Sequence, residues 1–254
     1  MLSASILHAI FDLTAWAIAI VSCLILYKYV FRERYDLLGK QVGGLYFVSL
    51  SFGSALGAIS LGSLNLYLSG EAEYFSKSII GALIGAIIAV EVYKSFNNIN
   101  TSTGALLAIP FALAVGVGRW GCFLSGLGDH THGIVTNSLW GHDFGDGVLR
   151  HPVQIYESVT LLSFALFLCI MFYKKKIFYM NNAFYLCVLL YASQRFAWEF
   201  LKPYATVVGP LNLFHLLCIG LVLYSLQMIR KSQPVSLAPN PVIGCQPDSL
   251  TPPP

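Results

Sequence analysis

Long apolar runs divided by short polar breaks set the pattern of this chain. The runs cover about residues 9–30, 44–68, 78–95, 103–124, 152–173, 180–200 and 210–229. Each is near the ~20 residues that a helix needs to cross a hydrocarbon core, and only helices or closed barrels satisfy their backbone there. The pattern predicts an all-α polytopic membrane protein with about seven transmembrane helices. The second run is rich in Gly, Ser and Ala, and the third holds Gly81-Ala82-Leu83-Ile84-Gly85. Small residues at this spacing predict closely packed inner helices. Pro110 is expected to kink the fourth span, and Pro152 to open the fifth.

The polar breaks predict loops: RERYDLLGK after the first span and the acidic GEAEYFSK after the second. Residues 231–254 are rich in Pro, Ser and Gln and are expected to be a disordered tail, leaving residues 1–230 as one membrane domain. Ten of the fifteen Lys and Arg fall on one set of ends: Lys28, Arg32, Arg34, Lys40, Lys94, Lys174, Lys175, Lys176, Arg230 and Lys231. The positive-inside rule places these ends and the C-terminus in the cytoplasm, with the N-terminus and the 125–151 loop outside. The N-terminal segment has neither a basic start nor a small-residue cleavage site, so no removable signal peptide is expected.

Composition sharpens the class. Of 254 residues, 56% are hydrophobic and 11% charged, with a mean hydropathy of +0.69; soluble domains carry about 25% charged residues. A net charge of +3 gives no reason to expect nucleic acid as a partner. The six Cys form no CxxC pair and mostly lie in apolar runs, which argues against a disulfide framework or zinc site. Cys122 is the exception, in an Arg-Trp-Gly-Cys run.

Chemistry gathers in residues 116–157. This stretch holds Arg119, Arg150, four of the six His and four of the twelve acidic residues. Polar groups concentrated beside apolar spans mark a site by default. Arg195 lies four residues before Glu199 and four after Tyr191, so the three share a helix face that should look into a polar cavity. A planar guanidinium binds phosphate oxygens bidentately, so a phospholipid phosphate clamp is one reading. A structural Arg195–Glu199 tie between helices is the other. His151, Gln154 and Glu157 form a second stripe. Glu157 needs a cation, Arg119 or Arg195, and His151 has the chemistry of a general base. Lys77 is either a site cation or a snorkelling surface residue. The loop residues His130, His132, His142, Asp129, Asp143 and Asp146 lack a familiar ligand spacing, so neither a metal nor another cofactor is expected.

These residues resemble the bacterial phosphatidylglycerol–prolipoprotein diacylglyceryl transferase family. Its Gly-Arg-x-Gly-Asn-Phe-x-Asn-Gly-Glu signature stands here as Gly118-Arg119-Trp120-Gly121-Cys122-Phe123-Leu124-Ser125-Gly126-Leu127. Its Arg-His-Pro-x-Gln-x-Tyr-Glu motif is complete from Arg150 to Glu157, and its Tyr-x-x-x-Arg-Phe-x-x-Glu-Phe helix is complete from Tyr191 to Phe200. Lys202-Pro203 follows where members tend to have Arg and Pro. The family's third-span His, treated as catalytic, is absent from Ile80-Gly81-Ala82-Leu83-Ile84-Gly85-Ala86, and Lys77 lies one turn earlier.

The resemblance implies a plasma-membrane lipid transferase. It would move the diacylglyceryl group of phosphatidylglycerol to the Cys thiol of a lipobox-containing precursor protein. Arg119, Arg195, His151 and Lys77 would then be catalytic. Cys122, Ser125, Gly126, Arg150, Gln154, Glu157, Tyr191 and Glu199 would bind substrate. The competing readings are a non-catalytic phospholipid-binding protein on the same fold, a transferase with another acceptor, a metal hydrolase built on the loop His residues, and a small-solute transporter.

Overall fold

The computed structural model describes residues 4–69 and 75–231. The expected tail and most of the acidic loop after the second span lie outside the described residues. Seven long helices account for the rest: α1 (Ala4–Leu26), α2 (Arg32–Leu68), α3 (Ile79–Phe96), α4 (Ala108–Leu124), α5 (Val153–Lys174), α6 (Lys176–Glu199) and α7 (Leu213–Lys231). A small antiparallel ribbon, β1 (His142–Asp143) with β2 (Leu149–Arg150), stands in the long loop, with His142 opposite Arg150.

The RERYDLLGK segment is helical, not a loop. A π-helical turn at Tyr27–Phe31 joins α1 to α2, and the chain breaks at Gly43 instead, where φ is +68°. That value suits a residue without Cβ, whereas the preceding Arg, Glu and Leu are ordinary helix formers. The tyrosine hydroxyl of Tyr27 donates to Asp36 at 2.5 Å, which ties the π-turn to α2. Pro110 falls in the first turn of α4, directly after a 3₁₀ turn at Ala105–Leu107. There its missing N–H has no intrahelical partner to lose.

Among the described residues, six helices are long and apolar enough to cross a membrane: the α1-to-Asp36 segment, α2 from Val42, α3, α4 with its 3₁₀ turn, α5 and α7. α6 has 24 residues, ample length at 1.5 Å each, but it carries Asn181, Asn182, Gln194, Arg195 and Glu199. All five are buried. A helix whose polar groups face protein does not need an apolar coat of its own. The molecule is therefore a multi-pass membrane protein with about seven spans.

α1 packs on α4, α4 on α5, α5 on α6 and α6 on α7, while α2 packs on α3 and α3 touches α7. The α2–α3 contact rests on four glycines. A Cβ on Gly57 or Gly81 would strike the other's backbone oxygen, and Gly53 and Gly85 stand in the same relation. The small-residue faces expected on the second and third spans thus pack against each other.

Two polar ends bracket the apolar core. At one, Arg34 Nη2 and Tyr35 Oη donate to the Ser102 and Thr103 carbonyls, and Tyr224 Oη donates to Glu91. At the other, the start of α1, the end of α4, the 125–151 loop, the start of α5, the end of α6 and the start of α7 converge. Ile134 N–H donates to the Leu201 carbonyl at 2.7 Å, which fastens the loop to the end of α6.

Candidate functional site

Glu157 sits one turn inside α5 and is 1% exposed. A carboxylate at that depth requires cations, and three surround it. Arg119, in the last turns of α4, is ion-paired to its Oε2 through Nε. Arg195, near the end of α6, reaches Oε1 through Nη1 at 2.8 Å. Lys202, just beyond α6, reaches the same oxygen through Nζ at 2.9 Å. Arg195 also pairs through Nε with Glu199 Oε2 at 2.9 Å, the i, i+4 pairing that the sequence spacing indicated. Glu199 is anchored in turn by Asn212 Nδ2 at 3.1 Å.

All five charged side chains are buried. Three cations against two carboxylates leave one positive charge in a water-poor enclosure. That is the charge that one phosphodiester would neutralise. Lys202 lies past the end of the span. Its burial, then the neighbouring Arg195 guanidinium, push its ammonium down to about 8. The Arg195 guanidinium also lies over the Phe214 ring, 5.4 Å from its centroid. An aromatic face there supports a cation that cannot be hydrated.

Tyr191 continues the Arg195–Glu199 stripe and is 1% exposed, edge-on to Phe111 at a centroid distance of 5.4 Å. Phe111 in turn borders a cavity of about 230 Å³ among the helices, whose walls include Leu83, Ala86, Ile87 and Val188. The cavity runs from Phe111 toward Glu91 and Lys94 near the far end of α3, and its mostly apolar walls are suited to hydrocarbon.

The other expected site residues divide into two groups. Gln154 is buried, and its Nε2 donates to Thr131 Oγ1 at 3.2 Å. Cys122 Sγ lies 3.9 Å from Arg119 Nη1. Ser125 donates to the Gly121 carbonyl as α4 ends, and Gly126 takes a φ of +68° to turn the chain. Of these four, Cys122 is the one in contact with a charged side chain of the cluster, Arg119. Arg150 instead holds the ribbon, with Nη1 at 2.8 Å from Asp146 Oδ1 and 3.2 Å from the Val148 carbonyl. That contact keeps the Asp146 carboxyl below its usual range. His151 Nδ1 lies 3.3 Å from Tyr156 Oη, and its backbone pairs with Ile134 and Gly133. Lys77 is exposed, with Nζ 6.0 Å from the Phe75 ring centroid, and among the described residues no ion pair joins it to the cluster.

The loop histidines do not assemble. His142 packs against Phe123 and Phe144 at 4.7 and 4.9 Å, and His132 Nδ1 faces the Gly133 carbonyl. Asp143 Oδ1 accepts from the backbone N–H groups of Gly145, Asp146 and Gly147, so it builds a turn.

Two residues gain weight that sequence reasoning did not give them. Lys202 was visible only as a neighbour of a motif, and its contact with Glu157 spans 45 positions. Asn212 carried no signal at all.

The family model for prolipoprotein diacylglyceryl transferase matches residues 7–230. Among curated relatives, the phosphatidylglycerol–prolipoprotein diacylglyceryl transferase of Geobacter sulfurreducens is 31% identical over 193 residues, 71% of this chain and 73% of the relative. The protein of the same name from Clostridioides difficile is 34% identical over 139 residues, 54% of this chain and 53% of the relative, so that match spans about half its length. The one from Campylobacter curvus is 29% identical over 218 residues, 76% of this chain and 77% of the relative.

Proposed function

The chain belongs to the prolipoprotein diacylglyceryl transferase family, and from that premise we propose that it moves the diacylglyceryl group of phosphatidylglycerol onto a precursor cysteine thiol. The buried three-cation, two-carboxylate cluster carries this reading. In the reaction the thiolate attacks the glycerol carbon that bears the phosphate ester. A sulfur–carbon bond forms, the carbon–oxygen bond breaks, and glycerol phosphate departs with the electron pair. Negative charge therefore grows on the leaving phosphate oxygen. Arg119, Arg195 and Lys202 supply fixed positive charge for it in a site with little water. Glu157 and Glu199 aim the two guanidinium forks, and the apolar cavity beside Tyr191 and Phe111 takes lipid chain.

The acceptor is a secreted precursor with a lipobox-type cysteine, presented at the end where the 125–151 loop lies. By the distribution of Lys and Arg this end is outside the plasma membrane and the C-terminus is cytoplasmic. His151 stands at the start of α5, at that same end, as a candidate base. A non-catalytic lipid-binding role is the second reading. The observation that favours it is the Ile80–Ala86 run of α3, which holds no His.

Purified protein in phosphatidylglycerol micelles, given a lipobox-type Cys peptide, should add a diacylglyceryl mass to the peptide. Arg119→Ala and Arg195→Ala should each lower turnover by about 10²–10³, the usual effect of removing one electrostatic contact to a transition state. Full turnover in both variants at normal expression would refute the clamp. Retained lipid binding with no mass gain in the unsubstituted protein would refute transfer to this acceptor and leave a lipid-binding role or a different acceptor.

A further inference from the structure

One convergent set of side chains is not used by the reaction above. His8 on α1, Cys122 in the last turn of α4 and Asp129 in the 3₁₀ turn that follows place their donor atoms within 4.8 Å of one another. His8 Nδ1 lies 3.1 Å from Asp12 Oδ2, and its Nε2 lies 3.1 Å from Asp129 Oδ1 and 3.9 Å from Cys122 Sγ. When Nδ1–H donates to Asp12, Nε2 presents a lone pair directly to a carboxylate oxygen. Two acceptors at that distance require a proton or a cation between them.

The surroundings favour a cation. Asp12 orients His8 from behind, the carboxylate–histidine arrangement that fixes the tautomer of metal ligands. Asp129 is oriented as well: its Oδ2 accepts from Thr131 Oγ1 at 2.6 Å, and Gln154 Nε2 holds that hydroxyl. Tetrahedral zinc with ordinary bond lengths has an N–O edge of ~3.4 Å and an N–S edge of ~3.6 Å, close to the 3.1 and 3.9 Å found here. One sulfur, one imidazole nitrogen and one carboxylate form a borderline-soft set, which selects zinc-like ions over magnesium or calcium.

We propose that His8 Nε2, Cys122 Sγ and the Asp129 carboxylate bind one zinc-class divalent cation and leave its fourth position to an external ligand. The spacing of the loop histidines gave no reason to expect a metal, and this set lies outside that reading because His8 is 121 positions from Asp129. If the transfer reading holds, the fourth ligand is the acceptor thiol. Coordination would form a metal–sulfur bond and release the thiol proton to water. That activation would stand in for the base that α3 lacks. Arg119, 3.9 Å from Cys122 Sγ, links this site to the clamp.

The test uses full-length protein in detergent, free of any poly-His tag and stripped with chelator. Titration with Co²⁺ alone should give one ion per chain and a sulfur-to-cobalt absorption band in the near ultraviolet. Cys122→Ser should abolish the band, and His8→Ala or Asp129→Asn should weaken Co²⁺ binding at least tenfold. Zn²⁺ should compete the band away. Failure of the unsubstituted protein to bind Co²⁺ stoichiometrically would overturn the proposal without reference to any variant. A band that persists in Cys122→Ser would overturn it equally. The peptide mass assay is read separately: stoichiometric Co²⁺ binding with no transfer in any metal state refutes the transfer reading and upholds the site. Equal transfer by stripped and Zn²⁺-loaded protein refutes the thiol as fourth ligand.

Discussion

A carboxylate that touches three cations at once, as Glu157 does, both gathers them and cancels part of their field. Removing it leaves Arg119, Arg195 and Lys202 buried and mutually repelling. Breaking a buried pair from one side typically costs ~3–5 kcal/mol. Glu157→Gln should therefore lower the thermal midpoint of the protein in detergent and reduce the yield of folded material, which a melting curve checks. Lys202 makes a different prediction. Its ammonium is charged below about 8 and neutral above, so the surplus positive charge is present at low pH and lost as pH rises through that value. Turnover should fall on the alkaline side of about 8, against the opposite trend of a thiol ionising near ~8.5. Lys202→Arg, which stays charged, should remove the fall; a pH–rate profile of both proteins decides it. Arg195 and Glu199 were legible as a pair because four residues on a helix is a fixed geometry. Lys202 and His8 were not, since what brings them to their partners is the packing of helices distant in sequence.

At the scale of elements, the α2–α3 crossing depends on backbones in contact at Gly53, Gly57, Gly81 and Gly85. Any side chain there must force the helices apart. Gly85→Leu should destabilise the protein by at least the ~1–3 kcal/mol typical of overpacking and disturb the apolar cavity that α3 walls. Thermal unfolding and lipid binding would both report it, and unchanged values would mean that the two helices part freely. The small-residue pattern made this contact readable in advance. Charged residues predict a loop at the start of α2, whereas the segment is helical because Arg, Glu and Leu carry no breaker. The chain turned where Gly43 permitted a positive φ.

On the scale of the whole molecule, the proposed orientation in the membrane rests on where cations stop. Leu139 is fully exposed in the long loop, and Lys175 stands between α5 and α6 at the opposite end. On intact cells, a membrane-impermeant maleimide should label Leu139→Cys above the unsubstituted background and leave Lys175→Cys unlabelled. The reverse result would invert the topology. The span count was readable from hydropathy because lipid enforces a length and a polarity on each crossing. The burial of the polar side chains of α6 was less legible, because packing against protein relaxes the polarity rule.

The polar inventory of α6 bears on how this protein is made. Charged residues cost ~2.5–3.5 kcal/mol apiece when a lone helix is offered to lipid at mid-depth, and α6 carries Arg195 and Glu199 near its end and two asparagines near its start. Its partners arrive from both directions in the chain, Glu157 from α5 before it and Asn212 at the head of α7 after it. Its integration from the ribosome is therefore conditional. A nascent chain stopped before Asn212 should hold α6 only loosely in the bilayer, within reach of quality-control proteases, until synthesis of the last helix seals it in place.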